Sequence, residues 1–351
     1  MAEEVGASPP DPMTVYGRDM RNTSRILTGL LMVLLAGGCA APSPTATNQL
    51  AGTSVDMAAH QPAEVGTPTE HEMLRGVTVD TVDNLDAIVA AVDALPGTPT
   101  VRIVFDPKNG PEYYAAAVAA LKERAFLMGE LLDSTGIASL NVDQVRARAE
   151  AYYAAFGDTI DIWEVGNELN GEWAGTGPAE INAKVTAAHR VISDHGGTTA
   201  ITLNYWSSSD CYSQDWEKTI PYAETIPAQV REETDYLLLS AYETACKPPQ
   251  HPTASQIAET LVALGKIFPN ADLGIGEIGA QGTEDDLPKD PTLAEKKAIA
   301  EHWIGMNDTL KSRVGERFVG GWFWWYFCRD AVARPQNDTL LPTLIRLLAG
   351  L

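Results

Sequence analysis

Two glutamates in this sequence each end a short apolar run. Residues 160–168 read IDIWEVGNE and end at Glu168, and residues 272–277 read DLGIGE and end at Glu277. A carboxylic acid can donate a proton to a leaving group, and a carboxylate can attack an electrophilic carbon. Two such side chains that converge on one bond could therefore divide acid and nucleophile chemistry between them. Whether they converge depends on the elements that carry them.

Short apolar runs alternate eight times with longer segments of helical period from residue 74 onward. The short runs are rich in Val, Ile and aromatic residues, as is typical of buried strands. They predict strands at 74–80, 100–106, 126–133, 160–168, 199–206, 235–242, 272–278 and 318–327. The intervening segments predict helices at 84–95, 111–125, 142–156, 179–195, 216–232, 254–268, 292–310 and 339–348.

Eight strand-then-helix units in roughly 275 residues match the usual size of a closed (β/α)8 barrel. The main alternative is an open doubly wound sheet, which often carries a glycine-rich phosphate loop after its first strand. Residues 78–84 contain no glycine, so the sequence favours an α/β fold of the TIM-barrel type. No second domain is indicated, and residues 73–351 are predicted to form one (β/α)8 catalytic domain.

In such a barrel the functional side chains lie at the carboxyl ends of the strands. The residues predicted there are carboxylates and aromatics, namely Asp80, Asp106, Asp133, Glu168, Tyr205, Trp206, Tyr242, Glu243 and Glu277. Flat aromatic faces can stack on the apolar faces of sugar rings, so this combination indicates carbohydrate chemistry. Strands four and seven face each other across the barrel mouth. Two long glutamates there can reach the separation of about 5–5.5 Å that a retaining glycosidase needs.

The pair Asn167-Glu168 on strand four, together with Glu277 on strand seven, resembles the clan A glycoside hydrolases. These are (β/α)8 retaining enzymes that include cellulases, mannanases and endo-galactanases, and the resemblance covers about residues 74–350. It implies that Glu168 is the general acid/base, that Asn167 binds the sugar 2-hydroxyl and that Glu277 is the nucleophile. The implied substrate is a β-linked oligo- or polysaccharide, and no metal or organic cofactor is required.

Further positions are similar to the same family. Tyr242 resembles a strand-six residue that hydrogen-bonds the nucleophile, and Arg102 resembles the strand-two arginine that supports it. Trp325 is favoured over Trp324 as the tryptophan beneath the reacting sugar, although a shift of one residue along the strand would exchange them. Trp206 follows a strand end, where it could stack on a sugar or pack internally.

The sequence departs from the family's pattern in its histidines. The familiar histidine of strand three, or of the loop after strand six, is not evident, and Asp133-Ser134 occupies the first neighbourhood. His60 and His71 lie in or beside an N-terminal tether, and the other four fall in predicted helices or the loops before them. A metal centre is therefore not expected. The exact family and the sugar stay open.

The chain carries 25 basic and 47 acidic residues, which gives a formal charge of −22. Such a chain repels a phosphate backbone, which argues against nucleic-acid binding but not against a neutral sugar. The protein is expected to be a monomer. The alternative to an enzyme is a polysaccharide-binding lipoprotein that kept the barrel and lost the chemistry.

The first 39 residues are typical of a secretory signal. Three arginines precede an apolar run at 26–39, which is too short for a comfortable membrane span. The run ends in LAGGC, which resembles a bacterial lipobox and implies lipidation of Cys39. Residues 40–72 are rich in Pro, Thr, Ala and Ser and predict a flexible tether. We expect an exported protein that faces the periplasm or the cell exterior and meets the membrane only through its lipid anchor.

Three cysteines follow the predicted lipidation site: Cys211, Cys246 and Cys328. An exported protein meets oxidising conditions, in which a disulfide can form. Cys211 and Cys246 each follow a predicted strand, and these strands should be neighbours, so the two are the disulfide candidates. The alternative is that all three are free thiols. Their spacing does not indicate a zinc site.

Overall fold

Eight parallel strands close into a barrel in the computed structural model, which describes residues 67–69, 71–332 and 338–351. Each strand pairs with its neighbours in chain order, and the last pairs with the first. The strands are β1 Leu74–Val79, β2 Thr100–Val104, β3 Phe126–Glu130, β4 Ile162–Gly166, β5 Thr199–Asn204, β6 Tyr236–Ser240, β7 Asp272–Glu277 and β8 Phe318–Trp324. The predicted (β/α)8 TIM-barrel fold is confirmed.

Helices fill the connections and form the outer layer. They are α1 Leu85–Asp93, α2 Pro111–Lys122, α3 Ser134–Ala138, α4 Val142–Phe156, α5 Pro178–Asp194, α6 Thr219–Thr225, α7 Ala228–Glu233, α8 Ala254–Ile267, α9 Leu293–Ile304, α10 Asn307–Val314 and α11 Leu341–Leu348. Pro111 and Pro178 open their helices, where a missing N–H costs nothing. Thr253 and Thr292 begin theirs with capping boxes.

Two of the predicted helices are each two helices in the structure. The segment 216–232 becomes α6 and α7, because Pro227 disfavours a helical conformation at Ile226, which is extended. The segment 292–310 becomes α9 and α10, and the break falls at Gly305, a residue type of low helix propensity. The predicted last strand also ends earlier, at Trp324.

The eighth strand has an irregular backbone. Gly320, Gly321 and Trp322 have φ values of 71°, 97° and 57°. A Cβ atom on Gly321 would lie 2.2 Å from the carbonyl oxygen of Ile275, so β7 and β8 approach this closely only because the residue is glycine. The left-handed residues interrupt the alternation of side chains along β8. This interruption affects which tryptophan faces the barrel mouth.

Apolar residues occupy two separate layers. One cluster combines Leu74, Met128, Ile162, Ala200, Tyr236, Leu238, Val319 and Phe323, which come from the barrel strands. A larger apolar layer includes strand residues together with the buried faces of the helices. Several buried polar side chains also belong to the strands, including Arg102, Glu130, Glu164 and Ser240. The barrel therefore combines an apolar cluster with buried polar groups.

No helix of the described residues is both long and apolar enough to cross a membrane. The predicted signal segment 1–39, with Cys39, and the tether as far as residue 66 lie outside the described residues.

A disulfide joins Cys211, which follows β5, to Cys246, which follows β6. The two cysteines are separated by 35 residues in sequence. Cys328 is a buried free thiol. The bond therefore ties together two of the loops at the carboxyl end of the barrel.

Replacing both bonded cysteines, as Cys211→Ser with Cys246→Ser, should lower the free energy of unfolding by about 3–4 kcal/mol. The reason is that a cross-link over a loop of this size restricts the unfolded chain by about that amount. Urea denaturation measures the change. Reductant should lower the stability of the natural protein and leave that of the double variant unaltered. Equal stability of the two proteins under oxidising conditions would contradict the prediction.

Candidate active site

Glu168 and Glu277 lie at the same end of the barrel and share one hydroxyl group. Glu277 is the last residue of β7, and Glu168 lies two residues beyond β4. The Ser240 hydroxyl, at the end of β6, lies 2.6 Å from Glu168 Oε1 and 3.3 Å from Glu277 Oε2. These two carboxylate oxygens are therefore less than about 6 Å apart. Both side chains are buried, with 7% and 2% of their surface exposed.

Glu277 is surrounded by hydrogen-bond donors. Oε1 accepts from Nη1 of Arg102 at 2.8 Å and from Nδ2 of Asn167 at 2.9 Å. Oε2 accepts from the hydroxyl of Tyr242 at 2.8 Å. Hydrogen bonds to a carboxylate and a neighbouring guanidinium both favour its charged form. Arg102, Asn167 and Tyr242 therefore converge on Glu277 and suit an ionised side chain.

Glu168 has different surroundings. Besides the Ser240 hydroxyl, Oε1 lies 3.4 Å from Nδ2 of Asn204, and Oε2 lies 3.4 Å from the hydroxyl of Ser134. These partners are neutral groups. The backbone at Glu168 is left-handed, with φ 44°, which is uncommon for a residue with a side chain. Two carboxyl groups in environments this different are suited to different roles.

Arg102 is the centre of a buried cluster of charges inside the barrel. Its Nε donates to Glu164 at 2.6 Å, and its Nη2 lies 3.2 Å from Glu130 without hydrogen-bond geometry. Burial by itself would lower the pKa of Arg102, but the three surrounding carboxyl groups raise it well above its ordinary value. Arg102 therefore remains charged although it is fully buried.

The three carboxyl groups around Arg102 differ in their hydrogen-bond partners. Burial raises the pKa of Glu164, opposed by Arg102 and by a hydrogen bond from the Thr202 hydroxyl. Burial also raises the pKa of Glu130 well above its usual range, opposed by Arg102. Neither oxygen of Glu130 has a hydrogen-bond partner in the described part of the chain. One cation cannot balance three buried anions, and burial favours the protonated form of Glu130.

The two tryptophans of the last strand lie in different places. Trp325 packs against Arg102, whose guanidinium carbon is 5.3 Å from the centre of the indole ring. Trp324 is fully buried and donates its indole N–H to Asp330. The ring of Trp324 therefore has no exposed face, and its selection as a substrate-binding candidate stays a prediction. The left-handed residues of β8 make a simple count of alternate positions unreliable here.

Trp206 belongs to an aromatic cluster beside Glu168. Its ring centre lies 6.0 Å from that of Trp173 and 4.9 Å from that of Tyr212. Trp173 in turn donates its indole N–H to the backbone oxygen of Glu168. The indole N–H of Trp206 is buried and has no hydrogen-bond partner among the residues described. The predicted residue thus borders the site without contacting either carboxylate.

Sequence reasoning did not select Glu130 or Ser240. A weak signal existed, since a charged residue in the middle of an apolar strand is seldom fully buried without a partner. The side-chain oxygens of Asn167 and Asn204 are buried and accept no hydrogen bond within the described ranges. Both are therefore available to a ligand hydroxyl. The residues that the structure describes include no group of three or more His, Cys, Asp or Glu that could hold a metal ion.

The sequence matches no protein-family model, and no curated protein is similar to it. A glycoside hydrolase family 5 enzyme from Prevotella bryantii, solved with a xyloglucan oligosaccharide, gives a TM-score of 0.51 at 12% identity, covering 77% of this chain and 87% of that one. A β-mannanase from Thermomonospora fusca gives 0.49 at 19% identity, over 73% and 79%. A β-mannanase from Streptomyces thermolilacinus gives 0.48 at 22%, over 76% and 82%. At 12% identity, the likeness to the Prevotella enzyme shows the fold alone.

Glu130→Gln should become progressively more stable than the natural protein as the pH rises. The unfolded side chain loses its proton near pH 4.5, whereas burial holds the proton on the folded side chain to higher pH. Stability from this group is therefore lost as the pH rises from 4.5 towards the raised pKa. Glutamine has no proton to lose. The advantage should grow by up to about 1.4 kcal/mol per pH unit.

Urea denaturation between pH 4 and pH 8 measures this difference. Glu259→Gln, at an exposed position on α8, is the matched control and should show little dependence on pH relative to the natural protein. A constant difference between Glu130→Gln and the natural protein across this range would mean that Glu130 is ionised in the folded state.

Proposed function

We propose that this protein is a retaining glycoside hydrolase that cleaves a β-linked oligo- or polysaccharide. The observation that carries the proposal is the pair Glu168 and Glu277, which share a hydroxyl and have unlike surroundings. Retaining enzymes hold their carboxyl groups about 5–5.5 Å apart, whereas inverting enzymes need about 6.5–9.5 Å to admit a water molecule. Oxygens less than about 6 Å apart favour the retaining mechanism.

The proposed reaction is a double displacement. Protonated Glu168 donates to the glycosidic oxygen while the carboxylate of Glu277 attacks the anomeric carbon, which gives a glycosyl-enzyme and a free leaving group. Ionised Glu168 then takes a proton from water, and the water oxygen displaces Glu277 from the same carbon. Both carboxyl groups return to their starting states.

The other predicted residues have supporting roles in this proposal. Arg102 and Tyr242 hold Glu277 ionised and aimed, and Asn167 keeps its side-chain oxygen for the sugar 2-hydroxyl. Trp325 is the candidate floor beneath the reacting sugar, and Trp206 is a candidate platform at the edge of the site. The chemistry calls for no metal or organic cofactor. Xyloglucan belongs in a first screen of β-linked glycans.

Glu168→Gln should lower turnover of natural glycans by about 10²–10⁴-fold, because a general acid contributes about that much. The loss in the glycosylation step should be much smaller with a dinitrophenyl β-glycoside, whose leaving group needs no proton. Glu277→Gln should abolish turnover of both substrates, since it removes the nucleophile. Steady-state and pre-steady-state rates measure these effects, and proton NMR should show that the first product retains the β configuration.

Glu172→Gln is the matched control, because Glu172 lies on the same loop as Glu168 and should leave turnover intact. Full turnover by both Glu168→Gln and Glu277→Gln, or an inverted product, would overturn the assignment. A natural protein that binds a glycan and cleaves none would instead favour the polysaccharide-binding alternative.

We also propose that the protein is an exported monomer held at the membrane by a lipid on Cys39. The apolar run at 26–39 and the arginines before it support this proposal, although these residues lie outside the described part. The disulfide between Cys211 and Cys246 also fits an oxidising compartment.

In a bacterial host, the natural protein should incorporate labelled fatty acid and sediment with membranes. Cys39→Ser should lose the label, because the acceptor thiol is gone. Cys328→Ser is the control and should keep it, since Cys328 is buried in the barrel domain. An unlabelled natural protein would refute lipidation.

A further inference from the structure

We propose that Ser240 is a positioning residue that donates its single hydroxyl proton to whichever of Glu168 and Glu277 is ionised, and so couples the protonation of one to the charge of the other. This inference rests on the proposed function, and deepens it by adding a third group between the two carboxyls. The structure places the Ser240 hydroxyl within hydrogen-bond distance of both.

The backbone fixes Ser240 in this position. Ser240 ends β6 and is fully buried. Leu239 pairs with Ile275 on β7, but Ser240 pairs with Glu277, so a bulge at Gly276 brings the glutamate level with the serine. A Cβ atom on Gly276 would lie 2.9 Å from Leu238 Cβ, so the bulge requires glycine. The backbone N–H of Ala241 also donates to the Glu277 carbonyl oxygen at 2.9 Å.

Proton counting shows why one hydroxyl between two carboxyl groups matters. In the free enzyme Glu168 is protonated and Glu277 ionised, so Glu168 donates to Ser240 Oγ and Ser240 donates to Glu277. In the glycosyl-enzyme Glu277 is a neutral ester and Glu168 has given its proton to the leaving group. The Ser240 hydroxyl then rotates and donates to ionised Glu168. Ser240 itself gains and loses no proton.

The hydroxyl therefore acts on Glu168 in opposite directions in the two states. In the free enzyme it accepts from protonated Glu168 and opposes its ionisation. In the glycosyl-enzyme it donates to ionised Glu168 and favours that form. An acid/base must be an acid in the first step and a base in the second, so both effects assist the reaction.

A substitution at Ser240 leaves the other charged and titratable groups around the two carboxyls in the chain. Arg102 on β2 and Tyr242 after β6 contact Glu277 directly. Glu130 on β3, Glu164 on β4 and Asp133 lie in the same electrostatic neighbourhood. A change confined to Ser240 therefore isolates the contribution of its hydroxyl.

The test is Ser240→Ala in the full chain, with pH profiles for two kinetic quantities. For kcat/KM, which reports on the free enzyme, the bell should narrow. The apparent pKa of its alkaline limb, which reports Glu168, should fall, and the apparent pKa of its acid limb, which reports Glu277, should rise. Each shift should be roughly 0.5–1 pH unit, since one hydrogen bond is removed from each form. For kcat on a dinitrophenyl β-glycoside, which reports on the glycosyl-enzyme, the acid limb reports Glu168 acting as a base. Its apparent pKa should rise by a similar amount.

Two further variants and a control define the outcome. Ser240→Thr keeps a hydroxyl and should give limbs with the apparent pKa values of the natural protein. Ser240→Cys, with a weaker donor, should give apparent pKa values between those of the natural protein and of Ser240→Ala. Thr78→Val removes another buried hydroxyl, on β1, that meets no hydrogen-bond partner among the described residues, and should leave the limbs in place. Carbon-13 NMR titration of the glutamate carboxyls checks the same shifts without turnover.

Limbs and NMR titrations that are unchanged in both Ser240→Ala and Ser240→Cys would overturn the inference, even if turnover falls, because that result is a purely structural effect. The alkaline limb of kcat/KM and the acid limb of kcat both report Glu168, so a shift of these two limbs in the same direction would also overturn the inference. If the natural protein cleaves no β-glycoside, the proposed function fails. The NMR titration of the free protein then still decides whether Ser240 links the two carboxyl groups.

Discussion

The ion pair between Arg102 and Glu277 is the interaction on which the site depends. It joins β2 to β7 through the barrel interior at 2.8 Å, and both side chains are buried. A guanidinium cannot lose its charge to escape burial, so the surrounding structure must supply anions. Glu277 and Glu164 supply them through hydrogen bonds, and a carboxyl oxygen of Glu130 lies 3.2 Å from the same guanidinium. The nucleophile candidate is thus part of the barrel's own charge balance.

The two candidate catalytic groups have different hydrogen-bond partners. Glu277 contacts Arg102 and also accepts from Tyr242 and Asn167. Glu168 lies beyond the end of β4, where the hydroxyls of Ser240 and Ser134 and the amide of Asn204 are near its oxygens. Two identical side chains therefore have different surroundings, which suits them to different roles. The Ser240 hydroxyl lies within hydrogen-bond distance of both.

Irregular backbone at three places aims the side chains of this site. The bulge at Gly276 sets Glu277 opposite Ser240, and the left-handed residue Glu168 turns its side chain after β4. In β8, left-handed residues 320–322 precede the two tryptophans, so Trp325 meets Arg102 while Trp324 packs elsewhere. Regular strands would alternate strictly and present other residues. Departures from regularity at a barrel mouth are therefore part of how the site is built.

The sequence by itself determined the number and order of the strands, and with them the closed barrel, because apolar runs and helical periods are local patterns. It also determined that Glu168 and Glu277 fall at the ends of β4 and β7. The family resemblance already indicated that Arg102 supports Glu277. Only the tertiary structure decided that Glu130 and Glu164 also lie around Arg102 and that the Ser240 hydroxyl is within hydrogen-bond distance of both carboxyls. These contacts join residues far apart in the chain, and the register and bulges of neighbouring strands set their heights in the barrel. No local pattern encodes those heights, since a shift of one residue exchanges which side chains face inward.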